Sequence, residues 1–437
     1  MIFVFTFLII LIVALIVSFI IHLICQYNKR TRDDLQDLQF PLFPSNEISQ
    51  TNVKFLSSSS MIHSSIHELI SKAKLNVCIC TFRWRVEWDE WQQVNGQIMA
   101  IGSALKKLAS QSTNKITVSI LMNQMQSLES NSFIENQVKH TWFIWHQLGF
   151  RNGDGNVWVE FRKWSHITLA NIHSKFTIVD NQHFAMYSMN IEGFSHGREG
   201  SWIECGVECN NFEPYQLTSL MDYFQMLYTQ SNMIKVNIDD PSLLLPSHTL
   251  APPPISTSVP LFEHVPLRIV HRAPSAFSLS RKSELTMTLV SMLQGAKKSI
   301  QILTPNMNDI SIINAIAHVP SRVVLSSGFN VDVPWIQEIT LGWSTNERMK
   351  RQFSKHPNLS VRWNTHNGEV VQGKSKYALH AKLFLVDDQF LFCGSVNADV
   401  YATITSGECG CLFDSTELTT YVRESFFEHL WNQAVPV

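Results

Sequence analysis

Charge is scarce in this chain, and neither sign predominates. Only 16% of the 437 residues are charged, with 34 Lys and Arg against 36 Asp and Glu. A protein that grips duplex nucleic acid through many phosphates usually carries a clear basic excess, so this balance disfavours duplex binding but permits a short single strand or a lipid headgroup. Apolar residues make up 45% of the chain. That content excludes a disordered or fibrous protein and suits two or three domains with buried cores.

Cysteine is present without the spacing typical of zinc or thioredoxin-like sites. None of the eight cysteines belongs to a C-x-x-C pair. Cys78 and Cys80 alternate along a strand-like run, as do Cys409 and Cys411, so each pair points to one face of a sheet. We predict buried thiols, with disulfides as the alternative.

The first stretch, MIFVFTFLIILIVALIVSFIIHLIC, lacks formal charge, a basic n-region and a small-x-small cleavage site. Two dozen helical residues reach roughly 36 Å, enough to cross a bilayer core of about 30 Å. We therefore expect residues 1–27 to form a single-pass membrane anchor rather than a signal peptide. Lys29, Arg30 and Arg32 follow it, and the positive-inside rule would keep the remainder of the chain in the cytosol.

Two segments of low apolar content divide the chain after the anchor. Residues 28–60 are polar and Ser-rich, which predicts a tether, and residues 238–262 are rich in Pro and Ser, which predicts a linker. They separate an N-terminal lobe at 61–237 from a C-terminal lobe at 263–437.

The two lobes repeat the same succession of predicted elements. AKLNVCICT at 73–81 parallels AKKSIQILT at 296–304, and each follows a helix-like stretch. Further strand candidates lie at 116–122 and 157–161 in one lobe and at 321–327 and 359–363 in the other, and each lobe ends in an aromatic helix, at 223–230 and 426–433. Strands alternating with helices predict an α/β sandwich in each lobe, duplicated about a pseudo-twofold axis.

One eight-residue pattern occurs in both lobes, as HSKFTIVD at 173–180 and HAKLFLVD at 380–387. Ser and Asn follow each Asp by eight and ten places, and an E-C-G sequence comes later in both lobes. The repeated residues are His173, Lys175, Asp180, Ser188, Asn190 and Glu204 in the first lobe and His380, Lys382, Asp387, Ser395, Asn397 and Glu408 in the second.

Side chains two apart on a strand share a face, so His173 projects with Lys175, and His380 with Lys382. A pseudo-twofold axis would bring both pairs to one cleft. Two ammonium groups with Ser and Asn donors suit an anion with several oxygens, most simply a phosphate. One imidazole could then act as nucleophile and the other as general acid, each held in one tautomer by a glutamate. This chemistry requires no metal or other cofactor.

HSKFTIVD…YSMN and HAKLFLVD…GSVN resemble the paired H-x-K-x4-D…G-S-x-N signature of the phospholipase D superfamily. The resemblance implies a duplicated αβα sandwich and a covalent phosphohistidine that water or an alcohol resolves. Of the two histidines, His173 is preferred as nucleophile. The resemblance implies phosphate contacts from the paired Lys, Asn and Ser, orienting roles for the two Glu, and bracing roles for the two Asp. Tyr187 departs from the signature, which has Gly there, so Ser188 is the assignment most affected.

The resemblance leaves three functions open. The first is a membrane-anchored phospholipase D or phosphatidyltransferase similar to cardiolipin synthases, acting on phospholipid or another phosphodiester. The second is a metal-independent nuclease for single-stranded nucleic acid, similar to single-pass lysosomal exonucleases of the superfamily. Such enzymes face the lumen, so both membrane orientations stay open. The third is a non-enzymatic membrane protein that has kept the fold, which the intact motifs disfavour. We expect the chain to function as a monomer.

Overall fold

The computed structural model describes residues 15, 18, 19, 40–43, 49–86, 96–124, 129–165, 170–192, 200–210, 212, 217–236, 259–275, 281–329 and 344–437. These residues form a mixed α/β fold, as predicted. The predicted anchor at residues 1–27 lies outside the described part of the chain except for residues 15, 18 and 19, which are helical. Within the described residues, no helix combines the length and apolar character that crossing a bilayer requires.

The strands of the first half are β1 (Ser49–Leu56), β2 (Asn76–Thr81), β3 (Ile116–Asn123), β4 (Val157–Trp164), β5 (Phe176–Val179), β6 (His183–Tyr187), β7 (Gly206–Asn210) and β8 (Asn232–Met233). Those of the second half are β9 (Phe262–Arg272), β10 (Ile300–Thr304), β11 (Ser321–Leu325), β12 (Leu359–Trp363), β13 (Thr365–His366), β14 (Glu369–Val370), β15 (Leu383–Val386), β16 (Phe390–Gly394), β17 (Glu408–Asp414) and β18 (Val435–Pro436).

The helices of the first half are α1 (Ser59–Ser71), α2 (Gly96–Gln111), α3 (Asn131–Gln147) and α4 (Thr218–Thr229), with a 3-10 turn at Asp154–Asn156. Those of the second half are α5 (Glu284–Gln294), α6 (Ile310–Ile316), α7 (Asn346–Phe353), α8 (Val400–Ile404), α9 (Thr416–Val422) and α10 (Glu428–Gln433), with a π-helical turn at Arg423–Phe427.

Sixteen strands form one sheet, in the order β18-β12-β11-β10-β15-β16-β17-β9-β1-β7-β6-β5-β2-β3-β4-β8. Read outward from the centre, both halves have the same order, because β1 and β9 occupy equivalent places and pair antiparallel with each other. β2, β3 and β4 pair in parallel, as do β10, β11 and β12. The duplication seen in the sequence is therefore also a duplication of strand order.

Apolar side chains on both faces of the sheet explain why these segments are strands. Every residue of β10 is buried, as is all of β2 after its first residue, as expected of parallel strands covered by helices. One large apolar cluster and a small one around Trp202 and Phe329 combine residues of both halves, whereas the buried residues of two other large clusters lie within single halves. The seven described cysteines are free and buried, in agreement with the buried-thiol prediction.

The predicted tether at 28–60 is wrong in its last third. Residues 49–56 form β1, which pairs with both β7 and β9 at the centre of the sheet. Val53 and Phe55 are buried there, so this segment belongs to the first lobe. The Ser-rich run that suggested a tether contains the helix cap, since Ser58 Oγ accepts a hydrogen bond from Met61 N (3.3 Å). Most of the predicted linker at 238–262 lies outside the described residues, and β9 begins at Phe262.

Candidate active site

The histidine segment of each half is hydrogen-bonded to the glutamate segment of the other. His173 N donates to Gly407 O (2.7 Å), and His380 N donates to Ile203 O (2.9 Å). These two acceptors directly precede Glu408 and Glu204 in the chain. Isolated parallel bridges at the same two places align the backbones. As a result, each imidazole lies beside the carboxylate contributed by the opposite half.

Two His–Glu pairs follow from this crossing. His173 Nδ1 lies 2.9 Å from Glu408 Oε1, and His380 Nδ1 lies 2.8 Å from Glu204 Oε1. Both glutamates are buried, with at most 1% of the side chain exposed. A carboxylate on Nδ1 keeps the proton there and leaves the lone pair of a neutral imidazole on Nε2. We call these pairs the His173 dyad and the His380 dyad.

The two serines predicted to contact phosphate hold the glutamates instead. Ser188 Oγ donates to Glu204, and Ser395 Oγ donates to Glu408. Each hydroxyl also accepts a hydrogen bond of 3.0 Å from the backbone N–H that follows its glutamate. Both serines are fully buried and absent from the pocket wall. Ser188 and Ser395 therefore support the carboxylates in this structure, and their predicted contact with phosphate stays a prediction.

Two buried lysines lie close to both imidazoles. Lys175 Nζ donates to His173 O (2.6 Å), and Lys382 Nζ donates to His380 O (2.5 Å). Burial lowers the pKa of Lys175 to about 8 and that of Lys382 to about 7, although the neighbouring glutamates raise both. Each ammonium uses one of its three protons on a carbonyl, which leaves two for other acceptors. Both lysines are fully buried and, like the two serines, lie outside the residues that line the pocket, so their predicted contact with phosphate stays a prediction.

Burial also favours the neutral form of both imidazoles. It lowers the pKa of His173 well below its usual value, and the fields of Lys175 and Lys382 lower it further. The pKa of His380 is likewise lowered well below its usual value by burial and both lysines, while Glu192 acts in the opposite direction. Beyond the two shared lysines, the positive charge of Arg83 lowers the pKa of His173, whereas the negative charge of Glu192 raises that of His380.

Carboxylates two residues after the predicted asparagines were missed in the sequence. Asn190 Nδ2 donates to Glu192 Oε1 (2.6 Å), and Asn397 Nδ2 donates to Asp399 Oδ2 (3.1 Å). The repeated pattern S-x-N-x-[E/D] carried this signal in both halves. Each carboxylate fixes the orientation of its amide, and both amides line the pocket.

The two carboxylates differ in their surroundings. Arg83 Nη1 forms an ion pair of 3.0 Å with Glu192 Oε2. Asp399 instead caps α8 by accepting from Ala402 N (2.8 Å), and burial raises the pKa of Asp399 to about 6. The pocket wall therefore contains one carboxylate neutralised by an arginine and one carboxyl group whose pKa is raised by burial.

A pocket of about 230 Å³ contains both imidazoles. Aromatic rings pack beside them, with centroid distances of 4.9 Å for Phe82 to His173 and 4.8 Å for Trp202 to His380. Phe329 stacks on His380 from 5.7 Å. The residues that line the pocket are Phe82, Arg83, Asn171, His173, Asn190, Glu192, Trp202, Asn306, Phe329, Lys374, His380, Asn397, Asp399, Tyr401, Ala402, Ser406 and Glu408. The arrangement joins two proton-transfer groups, amide donors and an apolar surround in one small volume.

The two predicted bracing aspartates lie outside this pocket wall and hold turns. Asp180 accepts backbone hydrogen bonds from Lys74, Leu75 and Asn76 at 2.8, 2.7 and 3.0 Å. Asp387 makes the equivalent three bonds to residues 297–299, with the same three distances. Both aspartates have a positive φ, of 54° and 59°. They anchor the chain that enters β2 and β10, beside the strands that follow the histidines.

Tyr187, which replaces the glycine of the signature, points into the core. It is fully buried, and its hydroxyl lies 3.1 Å from Thr177 Oγ1. Its strand partner is Gly206, where an added Cβ would come within 2.9 Å of the Tyr187 Cβ. Ser188 N still donates to Cys205 O (2.8 Å). The bulky residue is therefore accommodated by the glycine opposite and leaves the serine in place.

Comparisons with known proteins agree with this architecture. Residues 289–431 match the family model described as "Cardiolipin synthase, PLD-like domain". No curated protein matches the sequence. Phosphatidylserine synthase of Haemophilus influenzae Rd KW20 has a similar structure, with a TM-score of 0.58 and 15% identity over 94% of this chain and 92% of that one. At 15% identity, the similarity to phosphatidylserine synthase shows a shared fold.

Two smaller structures match over part of the chain. NucT from Helicobacter pylori has a TM-score of 0.30 and 15% identity over 39% of this chain and 98% of its own. Nuc from Salmonella typhimurium, described as a phospholipase D family member, has a TM-score of 0.29 and 15% identity over 39% of this chain and 97% of its own.

Proposed function

We propose that this chain is an enzyme of the phospholipase D superfamily that cleaves and transfers phosphodiester bonds of phospholipids through a covalent phosphohistidine. The observation that carries the proposal is the pair of crossed His–Glu dyads in one pocket. Neither half could supply this site alone, because each dyad takes its histidine from one half and its glutamate from the other. One chain contains the complete set, so we propose that the monomer is active.

In the first step, the Nε2 lone pair of His173 attacks phosphorus, and a P–N bond forms as the bond from phosphorus to the leaving oxygen breaks. The negative charge of the bound phosphodiester offsets the fields of the two lysines, so His380 carries a proton on Nε2 in the complex. It gives this proton to the leaving oxygen, and the alcohol departs neutral. The attacking ring acquires positive charge, which the carboxylate of Glu408 stabilises through Nδ1–H. Lys175, Lys382 and the two asparagine amides donate to the phosphoryl oxygens.

In the second step, water or an alcohol attacks phosphorus from the side that the leaving group vacated. The now neutral His380 takes the proton of the attacking hydroxyl, and the P–N bond breaks to restore His173. Water gives hydrolysis and an alcohol gives phosphatidyl transfer. The same residues serve both outcomes, so the acceptor that occupies the pocket decides between them.

Phospholipid is the preferred substrate on three grounds. The matched family model is that of a cardiolipin synthase domain. The near-neutral charge of the chain disfavours duplex nucleic acid and is compatible with a lipid headgroup. The predicted anchor at residues 1–27 would hold the pocket close to lipid and raise the local substrate concentration.

Single-stranded nucleic acid is the second candidate, favoured by two cation–aromatic pairs on the pocket wall. The guanidinium of Arg83 lies 5.4 Å from the ring centre of Phe82, and Lys374 Nζ lies 5.7 Å from that of Phe329. Such pairs suit a phosphate backbone with adjacent bases.

To test this proposal, the purified protein is assayed on two substrates in parallel, in detergent and in the presence of a chelator. One is a vesicle with phospholipid labelled in its headgroup, and the other is a 5′-labelled single-stranded oligonucleotide. We expect headgroup release from the vesicle and, when glycerol is added, a transfer product. Asn substitutions of His173 or His380 should abolish both. His318→Asn is the control, since His318 Nε2 lies 2.9 Å from Ala296 O, outside the pocket wall.

Turnover of the oligonucleotide alone would replace the lipid assignment with the nuclease. Wild-type turnover by either histidine variant would reject the shared site itself. Circular dichroism of each variant verifies that lost activity does not reflect unfolding.

A further inference from the structure

Arg272 lies at the last position of β9, directly opposite Glu408 of β17. Directly opposed residues of antiparallel strands project to the same face, with Cβ atoms about 5 Å apart. Only 5% of Arg272 is exposed, and its Nη1 is buried without a hydrogen-bond partner in the described chain. A buried cation with an unused donor is therefore positioned behind the His173 dyad.

The other half has no arginine at the equivalent strand position. Gly410 and Gly206 are corresponding residues of the repeated E-C-G sequence. Val270 pairs with Gly410 and Leu56 pairs with Gly206, so Val270 and Leu56 correspond as well. Two residues further along each chain segment, Arg272 therefore corresponds to Ser58. Ser58 is an uncharged residue whose side chain caps α1. The two dyads have the same hydrogen bonds but differ at this position of the supporting strand.

We propose that Arg272 is a positioning residue that favours the ionised form of Glu408 and thereby reserves His173, rather than His380, for nucleophilic attack. The inference rests on the proposed reaction, in which one neutral and one protonated imidazole are needed. It goes further by naming what makes two nearly identical dyads unequal.

An additional proton on the His173 dyad blocks the nucleophile wherever it binds. If the His173 dyad takes up a proton on the imidazole, Nε2 is blocked. If Glu408 takes it, the carboxylic acid donates to Nδ1, and the ring proton moves to Nε2, which is blocked again. Either way the nucleophile is lost, so proton uptake by the dyad as a unit governs activity.

Arg272 opposes that uptake. Burial raises the pKa of Glu408 to about 8, and the cations Lys175, Lys382 and Arg272 act against burial. Burial lowers the pKa of Arg272 itself to about 10, and the field of Glu408 raises it. Besides Glu408 and Arg272 themselves, the charged and titratable groups that interact with the dyad or with Arg272 are Lys175, Lys382, Arg83, Asp399, Tyr223, Arg281, Cys409 and His380. Lys175 and Lys382 act on both histidines, whereas Arg272 faces Glu408 from β9.

The test compares Arg272→Met and Arg272→Gln, which remove the charge, with Arg272→Lys, which keeps it. Arg322→Met is the matched control, because Arg322 is paired with Glu428 (2.6 and 3.0 Å) on β11, outside the pocket wall. The first readout is the pH profile of kcat/KM. Both neutral variants should move its acid limb upward on the order of one pH unit, the effect of removing one charge near a buried site. Lys and the control should leave the limb in place.

The second readout does not require turnover. NMR of protein with ¹³C-labelled histidine follows the titration of His173, identified by its loss in His173→Asn. The midpoint should rise in Arg272→Met and Arg272→Gln relative to wild type. An unchanged midpoint in folded neutral variants, or an equal shift in Arg272→Lys, would overturn the inference. Absence of phospholipid turnover by wild type would instead count against the proposed function, while the NMR comparison would still decide the role of Arg272.

Discussion

Glu408→Gln should reduce kcat by about 10²- to 10⁴-fold, the range expected when a general acid–base system is disabled. Glutamine has the shape of glutamate, so the hydrogen bond from Ser395 can be retained on the amide oxygen. The amide nitrogen then faces His173 Nδ1, at the 2.9 Å contact that Glu408 Oε1 makes now. Because the amide N–H of the glutamine needs an acceptor, the imidazole adopts the tautomer with its lone pair on Nδ1. The ring proton is then on Nε2, and the nucleophilic lone pair is lost.

A second effect acts even if the amide is reversed. The attacking His173 becomes positively charged, and a hydrogen bond to a charged group contributes about 1.5–3 kcal/mol. Loss of the negative charge of Glu408 removes most of that contribution, which corresponds to roughly 10- to 150-fold in rate. The lower end of the expected range follows from this effect and the upper end from the tautomer.

The assay measures single-turnover rates with saturating labelled phospholipid, normalised to the folded fraction from circular dichroism. Glu208→Gln is the control, since Glu208 is also buried but pairs with Lys54 (2.9 Å) outside the pocket wall. It should stay within about threefold of wild type because it does not touch the reacting groups. A folded Glu408→Gln enzyme within fivefold of the wild-type rate would refute the crossed-dyad reasoning.

Three further substitutions test other contacts. Ser395→Ala should lower kcat about tenfold with little change in KM, because the hydroxyl supports Glu408 rather than phosphate; a dominant rise in KM would restore the phosphate contact. Asp387→Ala should lower the free energy of unfolding by about 2–3 kcal/mol, measured by urea titration, through loss of three backbone hydrogen bonds. Burial raises the pKa of Asp387, but these bonds outweigh burial and lower it overall, so the wild-type advantage should fade as pH falls below about 4. Tyr187→Phe should lower the free energy of unfolding by about 1 kcal/mol, through the lost contact with Thr177, and leave the rate of phospholipid turnover unchanged. Slower turnover by this variant would show that Tyr187 contributes to the active site.

The sequence was most informative where burial is simple. Segments such as 73–81 and 296–304 are apolar enough to be strands in any compact arrangement, and β2 and β10 lie within them. β1 was missed because its Ser-rich neighbours suggested a tether. Its alternation of buried Thr51, Val53 and Phe55 with more exposed residues was present in the sequence, but a central strand is defined by its two partners, which are distant in the chain.

The site could be predicted as a set of residues but not as a set of partners. The repeat identified His173, His380, Glu204 and Glu408, yet sequence order cannot show that each histidine contacts the glutamate of the other half. That pairing depends on backbone bridges between halves, which form only in the folded chain. The serine roles depend on the same geometry, since a hydroxyl beside a buried carboxylate donates to it.

Asymmetry was the least predictable feature. Glu192 and Asp399 occupy equivalent positions, but Arg83 pairs with one of them and a helix N-terminus with the other. Arg272 likewise becomes notable only when its strand register places it opposite Glu408. Such differences arise from residues outside the repeated motif, where the two halves share little sequence.

Trapping the covalent intermediate distinguishes a phosphohistidine mechanism from direct attack by water. In His380→Asn, a phosphodiester with a p-nitrophenyl leaving group needs no general acid for the first step, whereas the second step lacks its base. The account predicts that a phosphoryl adduct accumulates and that mass spectrometry locates it on His173. An adduct on any other residue, or stoichiometric nitrophenol release without an adduct, would contradict it.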